Sequence, residues 1–289
     1  MMGRKKFSVA AKRFGQAGGF GLKYAVVDRG DEHSRHLAEQ FRRWGATVGL
    51  EESTKSPDIV LSIGGDGTLL QAFHLYVEQL DRVAFVGVHT GHLGFFADWK
   101  PEELEQLALL MGEDSEQSKL KIVQYPLAEI EFTTTHGKEK HLVLNEFTLK
   151  GHQETLVAQV HINDEPFETF RGDGICVSAP TGSTAYNKSL GGAIIHPSIE
   201  SVQIAEIASI NNRVYRTLGS SLLMPKHHHC DIYPRTRGGE LLIAIDHLYA
   251  HRTDIVSIRC WVSEQKVRFA RFRSFPFWNR VRDAFIGDV

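Results

Sequence analysis

At 289 residues the chain has room for one large domain or two ordinary ones, and 42% hydrophobic against 24% charged residues is the balance of a soluble globular protein. A formal net charge of −2 excludes the basic footprint that nucleic acid or an anionic membrane requires, so any site for a polyanion has to be local. The three cysteines, Cys176, Cys230 and Cys260, are widely spaced, which argues against a disulfide framework or a CxxC metal knuckle. No apolar run approaches the ~18 residues of a membrane span. These features fit a reducing, cytoplasmic setting.

Residues 1–22 carry Arg4, Lys5, Lys6, Lys12 and Arg13 and no acid, and Lys12 and Arg13 interrupt the only apolar stretch that a secretory signal could use. The segment reads as a disordered extension. Residues 23–27 read as a first strand, and Leu37, Phe41 and Trp44 share one face of a helix. A short second strand is expected at 46–50, and a buried, β-branched one at 58–63. Leu69, Leu70, Phe73 and Val77 then recur at helical spacing, 83–88 is a further buried strand, and 101–111 reads as a helix with Pro101 in its first turn. Strands alternating with helices predict a parallel sheet with ligands at the strands' carboxyl ends, where the 64–68 and 89–96 loops lie.

After about residue 120 the pattern changes. Ala128, Ile130 and Phe132 alternate with Glu129, Glu131 and Thr133, and strand-like runs follow at 141–149, 157–162, 174–178, 241–246, 255–262 and 266–272. The expected organisation is an α/β domain over 23–120 and an antiparallel β-rich domain over 121–275. Phe277, Val281 and Phe285 predict a final amphipathic helix at 276–289.

Two stretches carry the chemistry. Residues 58–63 run straight into Gly64-Gly65-Asp66-Gly67-Thr68, a strand, a glycine turn and a helix start. Unpaired N–H groups at a helix start suit a phosphate, and glycines let it approach the backbone. A carboxylate beside phosphates is unfavourable unless it holds a metal, binds a hydroxyl or takes a proton. The plainer alternative is a tight turn with Asp66 as helix cap. The second stretch, 170–196, holds another Gly-Asp-Gly at 172–174, then Pro180-Thr181-Gly182-Ser183-Thr184-Ala185-Tyr186-Asn187, then Gly191-Gly192. It shows little apolar periodicity and no obvious place as core, although Cys176 reads as a small core residue.

Four blocks, GGDGT at 64–68, HTGHLGFFADW at 89–99, NEFTL at 145–149 and GDGICVSAPTGSTAYNKSLGGAIIHP at 172–197, resemble the NAD kinase family in its bacterial form. The resemblance spans most of 23–289, and the basic start is a departure from it. It implies a Rossmann-like parallel-sheet domain plus a β-sandwich-like domain, with the last helix returning to the first. It implies ATP as phosphoryl donor, polyphosphate being left open as a second, Mg²⁺ as cofactor, NAD⁺ as acceptor, and a homodimer or homotetramer. The turn lacks a Walker A lysine, so Mg²⁺ and backbone N–H groups would stabilise the transferred charge.

By the same resemblance, Asp66 faces the 2′-hydroxyl of the adenosine ribose as general base or orienter, between Gly65 and Gly67. Asn145 and Glu146 are the dinucleotide-binding pair, and Asp173 reads the nicotinamide side. Thr184, Ala185, Tyr186 and Ser189 line the adenine and ribose pocket. Phe95 matches a position near the adenine, although two aromatics after a glycine are as readily core. Arg171 is a candidate contact for the new 2′-phosphate, or else pairs with a surface acid. Ala208 and His247 complete the expected lining. His227-His228-His229 has the composition of metal ligands but follows Met224-Pro225 in a loop, and no protein ligand set for a metal is expected. Two rivals share the glycine turn: a lipid or sugar kinase, and a non-catalytic NAD(H)-binding regulator. The 180–189 motif and the lack of a membrane-binding patch argue against a lipid acceptor, and the presence of Asp66 argues against the regulator.

Overall fold

A computed structural model describes residues 22–91, 94–113, 120–235 and 239–287, so the expected extension at 1–22 lies, but for Leu22, outside the described residues. The chain divides into two compact units, one running to Gln124 and resuming at Arg268, the other Tyr125–Val267. None of the described helices is long and apolar enough to cross a membrane.

The first unit is built on parallel strands. β1 (Lys23–Asp28) leads through α1 (Glu32–Thr47) to β2 (Glu51–Glu52), then β3 (Ile59–Gly64), α2 (Asp66–Leu75) and β4 (Ala84–His89), followed by α3 (Leu104–Gly112). The sheet order is β2-β1-β3-β4, every pair parallel. β3 is buried along its whole length, as its unbroken apolar run requires of a strand covered on both faces. Ile59, Leu61, Val86 and Val88 join Leu37 and Phe41 of α1 and Leu107 of α3 in one core, while Phe85 meets Phe73 of α2 at a centroid distance of 6.4 Å. Leu22, assigned by sequence to the extension, packs against that first core.

Two expectations fail here. Residues 46–50 are no strand: Asp31 caps α1 through the Ser34 N–H, and the helix runs to Thr47 before Gly49 ends it at φ +78°. Trp44 is 40% exposed, and the buried face of α1 continues through Gly45 instead.

The second unit is antiparallel. Its elements are β5 (Lys121–Thr134), β6 (Gly137–Val143), β7 (Glu146–Gly151), β8 (Leu156–Ile162), β9 (Glu165–Gly172), β10 (Gly174–Ser178), α4 (Tyr186–Ser189), β11 (Ser201–Ile207), β12 (Leu222–Pro225), β13 (His229–Pro234), β14 (Leu241–Ile245), β15 (Leu248–Arg252) and β16 (Ile255–Arg271). One sheet runs β12-β11-β10-β7-β14-β15. Facing it are β9, β8, β13 and β16, with β5 pairing both β16 and β6. Phe147, Leu149, Val177 and Ile243 of the first sheet and Phe132, Val160, Ile232 and Ile258 of the second share one core, which makes the unit a sandwich.

The expected strand at 141–149 is two strands, broken at Leu144 and Asn145, and the expected pair at 255–262 and 266–272 is the single strand β16. The 174–178 segment, far from lying outside the core, is a fully buried strand between β7 and β11. β16 ends back in the first unit, where Phe269 pairs in parallel with Phe85, and α5 (Phe277–Phe285) closes the described chain there.

Candidate active site

In the first unit the buried strand β3 delivers the glycine turn. Gly65 is the N-cap of α2 and no side chain caps the helix, so Asp66 is not the cap of the plainer reading. Its carboxylate is engaged elsewhere. Oδ2 accepts the N–H of Phe95 at 2.8 Å and Oδ1 the N–H of Phe96 at 3.2 Å. Two successive amides of the loop after β4 therefore fix its orientation. Burial raises the Asp66 pKa, and this outweighs the lowering by those two amides, by Arg280 and by His89.

The glycines divide by what surrounds them. A Cβ on Gly65 or Gly67 would meet open space, so nothing among the described residues demands glycine there, and what the residue offers is bare backbone. Gly94 is the opposite case, because a Cβ there would occupy the position of the Asp66 carboxylate. Gly94→Ala is accordingly expected to displace that carboxylate and lower turnover about 10²-fold, the scale of a misplaced reacting group. A steady-state assay at saturating substrates checks this, and unchanged turnover would show that Asp66 needs no fixed seat.

Phe96 is buried core, stacked on Phe269 at 5.8 Å, whereas Phe95 is half-buried and stacks on Phe285 of α5 at 5.4 Å.

In the second unit, Asn145 and Glu146 sit where the chain passes from β6 to β7. Asp246, at φ +53°, organises this corner: its carboxylate accepts the N–H groups of Leu144 at 3.1 Å, Asn145 at 2.7 Å and Glu146 at 3.2 Å. The 180–184 turn is locked to the same corner. Ala179 N–H donates to the Asn145 carbonyl at 2.9 Å, the Thr181 hydroxyl donates to the Leu144 carbonyl, and Gly182 lies so close to the Asn145 backbone that no Cβ fits. The Asn145 Oδ1 and Glu146 Oε2 atoms are buried and have no hydrogen-bond partner among the described residues. Burial first, and the neighbouring Asp246 charge second, push the Glu146 pKa up to about 8, against a hydrogen bond from the Tyr186 backbone. Adjacent unfilled polar atoms in a buried corner are an open request for a ligand's donors and acceptors.

Thr184, Ala185 and Tyr186 are half-buried on the turn, and Ser189 is exposed at the end of α4. Lys150 donates to the Tyr186 hydroxyl at 3.3 Å and lies 5.2 Å from its ring centroid. His247 is half-buried in the turn between β14 and β15. Arg171, Asp173 and Ala208 gather at the other end of β10: Ile210 N–H donates to the Arg171 carbonyl at 2.7 Å, and Asp173 N–H to the Ile207 carbonyl at 2.9 Å. Arg171 lies 4.3 Å over the Tyr215 ring, and Asp173 is exposed. Of the three histidines at 227–229, His229 joins Asp164 and Asp231, but Arg259 already holds both carboxylates, at 2.7 and 2.6 Å.

Residues 21–114 match the ATP-NAD kinase N-terminal domain and residues 144–272 the ATP-NAD kinase C-terminal domain. NAD kinase 1 of Bacillus cereus is 52% identical over 269 residues, covering 92% of this chain and 100% of its own. The chain belongs to the ATP-NAD kinase family. NAD kinase 1 of Bacillus subtilis is 53% identical over 268 residues, covering 92% of this chain and 99% of its own. Among solved structures, yeast NADH kinase complexed with NADH aligns with a TM-score of 0.77 at 15% identity, covering 93% of this chain and 89% of that one. An NAD kinase from Archaeoglobus fulgidus in complex with ATP aligns at 0.69 and 19% identity, covering 89% and 96%. At such identities the likeness is one of fold, and that fold is the class expected from sequence: a parallel-sheet α/β domain, a β-rich sandwich and a final helix.

Asp246 and Arg280 are the residues of this ATP-NAD kinase that sequence reasoning missed. Asp246 is adjacent to the expected His247, and its place as the turn residue after the apolar strand β14 was the signal it offered.

Proposed function

We propose that the protein is an NAD kinase that transfers the γ-phosphoryl group of ATP to the 2′-hydroxyl of the adenosine ribose of NAD⁺. The new O2′–P bond forms as the bond to the β-phosphate oxygen breaks, and ADP and NADP⁺ leave. The observation that supports this best is the Asp66 carboxylate, fixed by two amides beside a helix start and made more basic by burial. Asp66 orients the hydroxyl and takes its proton as the bond forms. The bare backbone at Gly65 and Gly67 admits the donor phosphates.

Asn145 supplies an unfilled acceptor and the Glu146 carboxyl, neutral below its raised pKa, an unfilled polar group that can donate or accept, for ribose hydroxyls and amide groups to satisfy. Tyr186 offers a face to the adenine, with Thr184, Ala185, Ser189, Phe95, Ala208 and His247 around the dinucleotide. Asp173 serves the nicotinamide side and Arg171 the 2′-phosphate of the product. Mg²⁺ takes most of its ligands from water and donor phosphates, and with both Asp66 oxygens held by the Phe95 and Phe96 amides the turn leaves the ion to those ligands. When bound it would offset the charge that develops on the transferred phosphoryl group. The protein works in the cytoplasm as a homodimer or homotetramer.

The test is to mix purified protein with NAD⁺, ATP and Mg²⁺ and add an NADP-specific dehydrogenase with its substrate. Reduction that depends on all three additions is expected. ADP release without reducible product would leave an ATPase and no NAD kinase.

A further inference from the structure

The loop that seats Asp66 is itself seated by the end of the chain. Arg280 of α5 is only 9% exposed. Its Nη1 donates to the Gly94 carbonyl at 2.8 Å and to the Ala97 carbonyl, and its guanidinium lies 4.1 Å over the Phe275 ring. Arg271 adds a bond to the Phe96 carbonyl at 3.2 Å and an ion pair with Asp98 at 3.1 Å. One link in this set is special. The Gly94 carbonyl and the Phe95 N–H belong to a single peptide group. Arg280 thus bonds one side of that group, and its other side bonds Asp66 Oδ2 at 2.8 Å. A cation on the carbonyl draws electron density through the amide and strengthens its N–H as a donor. The second contact, to Ala97, closes the clamp beyond Phe96, whose N–H holds the other carboxylate oxygen.

We propose that Arg280 is a positioning residue of the kinase reaction: by clamping the Gly94 and Ala97 carbonyls, it holds the Phe95 and Phe96 amides where they fix the Asp66 carboxylate. This rests on the reading of Asp66 as the group that acts on the acceptor hydroxyl. Arg280 touches no substrate in this scheme; it holds Asp66 through a neutral peptide and, as a nearby cation, also favours its ionised form. Burial lowers its own pKa to about 10, so the guanidinium stays charged at neutral pH. The clamp's bonds end on backbone carbonyls, and the Phe95 side chain has its own support in its stacking on Phe285, so the loss belongs in kcat. Affinity for either substrate should hardly move.

The experiment is a double-mutant cycle on the full chain, with kcat and both KM values read for wild type, Arg280→Met, Asp66→Asn and the double variant. Arg280→Met is expected to lower kcat about 10–100-fold, as loosened positioning does, with each KM within about twofold of wild type. Arg280→Lys, which keeps the charge but not the planar fork, should recover part of that loss and supplies a folded comparison if the Met variant is unstable. In the Asp66→Asn background the same Met substitution should cost little more. An equal factor in both backgrounds, a loss carried by KM, or wild-type kcat in Arg280→Met would each overturn the clamp. Wild-type kcat in Asp66→Asn alone would instead remove the reading on which the clamp depends.

Discussion

Asp66→Asn is expected to lower turnover about 10²–10⁴-fold, the usual contribution of a positioned general base. The change keeps the shape of the side chain and removes its charge and basicity. Stability should move far less, because two effects oppose each other. Asn can accept only one of the two loop amides, at Phe95 and Phe96, and leaving the other unmet costs about 1–3 kcal/mol. Against this, burial disfavours the ionised carboxylate in the folded protein, as its raised pKa shows, and the amide carries no such penalty. Thermal melting and kcat measured on one preparation separate the two outcomes. A variant with nearly normal turnover would reduce Asp66 to a strut for its loop.

Glu146→Gln should trade binding for stability, and the trade should depend on pH. The folded protein raises the Glu146 pKa from 4.5 to about 8, so between those values the folded state binds more protons than the unfolded one. Stability therefore falls as pH rises through that window. The contribution of the neutral carboxyl is fully present below about 4.5 and is lost once the pH passes about 8. Gln is neutral throughout. Its advantage in stability over wild type should be absent near pH 4, grow through neutrality and level off above about pH 8, where it reaches the order of a few kcal/mol. The same substitution should raise the KM for NAD⁺ about tenfold, the scale of one buried hydrogen bond. Melting curves across pH 4–9 with no change in the difference between the proteins would remove the buried charge from this account. A KM equal to wild type would move the dinucleotide away from Glu146.

The parts of this fold that were legible in sequence are those whose signal is local. At 58–73 a continuous apolar run gives way to glycines and then to helical spacing within a few residues, and β3, the turn and α2 follow that order. Position 48 misled for the same reason. Val48 and Leu50 look like strand, but α1 was already propagating from its Asp31 cap and stopped only at Gly49. The polar Ser263-Glu264-Gln265 stretch made one long strand read as two, because a partly exposed strand admits polar residues without ending. Strands such as β9 and β13 carry Pro, Glu or His at exposed or half-buried positions and show no clean alternation. The site was legible as residue types and only partly as geometry. Asp66 meets amides 29 and 30 residues away, Asp246 holds backbone about 100 residues upstream, and Arg280 reaches carbonyls 186 and 183 residues before it. Such contacts leave no periodicity behind, so only the folded chain reveals them.

The central claim is that this protein phosphorylates one hydroxyl of NAD⁺, the adenosine 2′-hydroxyl, with Asp66 as its partner. The direct measurement offers γ-labelled ATP with either NAD⁺ or NAD⁺ lacking the adenosine 2′-hydroxyl, and locates any phosphate by ³¹P and ¹H NMR. Label is expected in NADP⁺ as a 2′-phosphate, and the analogue is expected to compete with NAD⁺ for binding yet take up no label. Label in the analogue, or a 3′-phosphate from NAD⁺ itself, would contradict it.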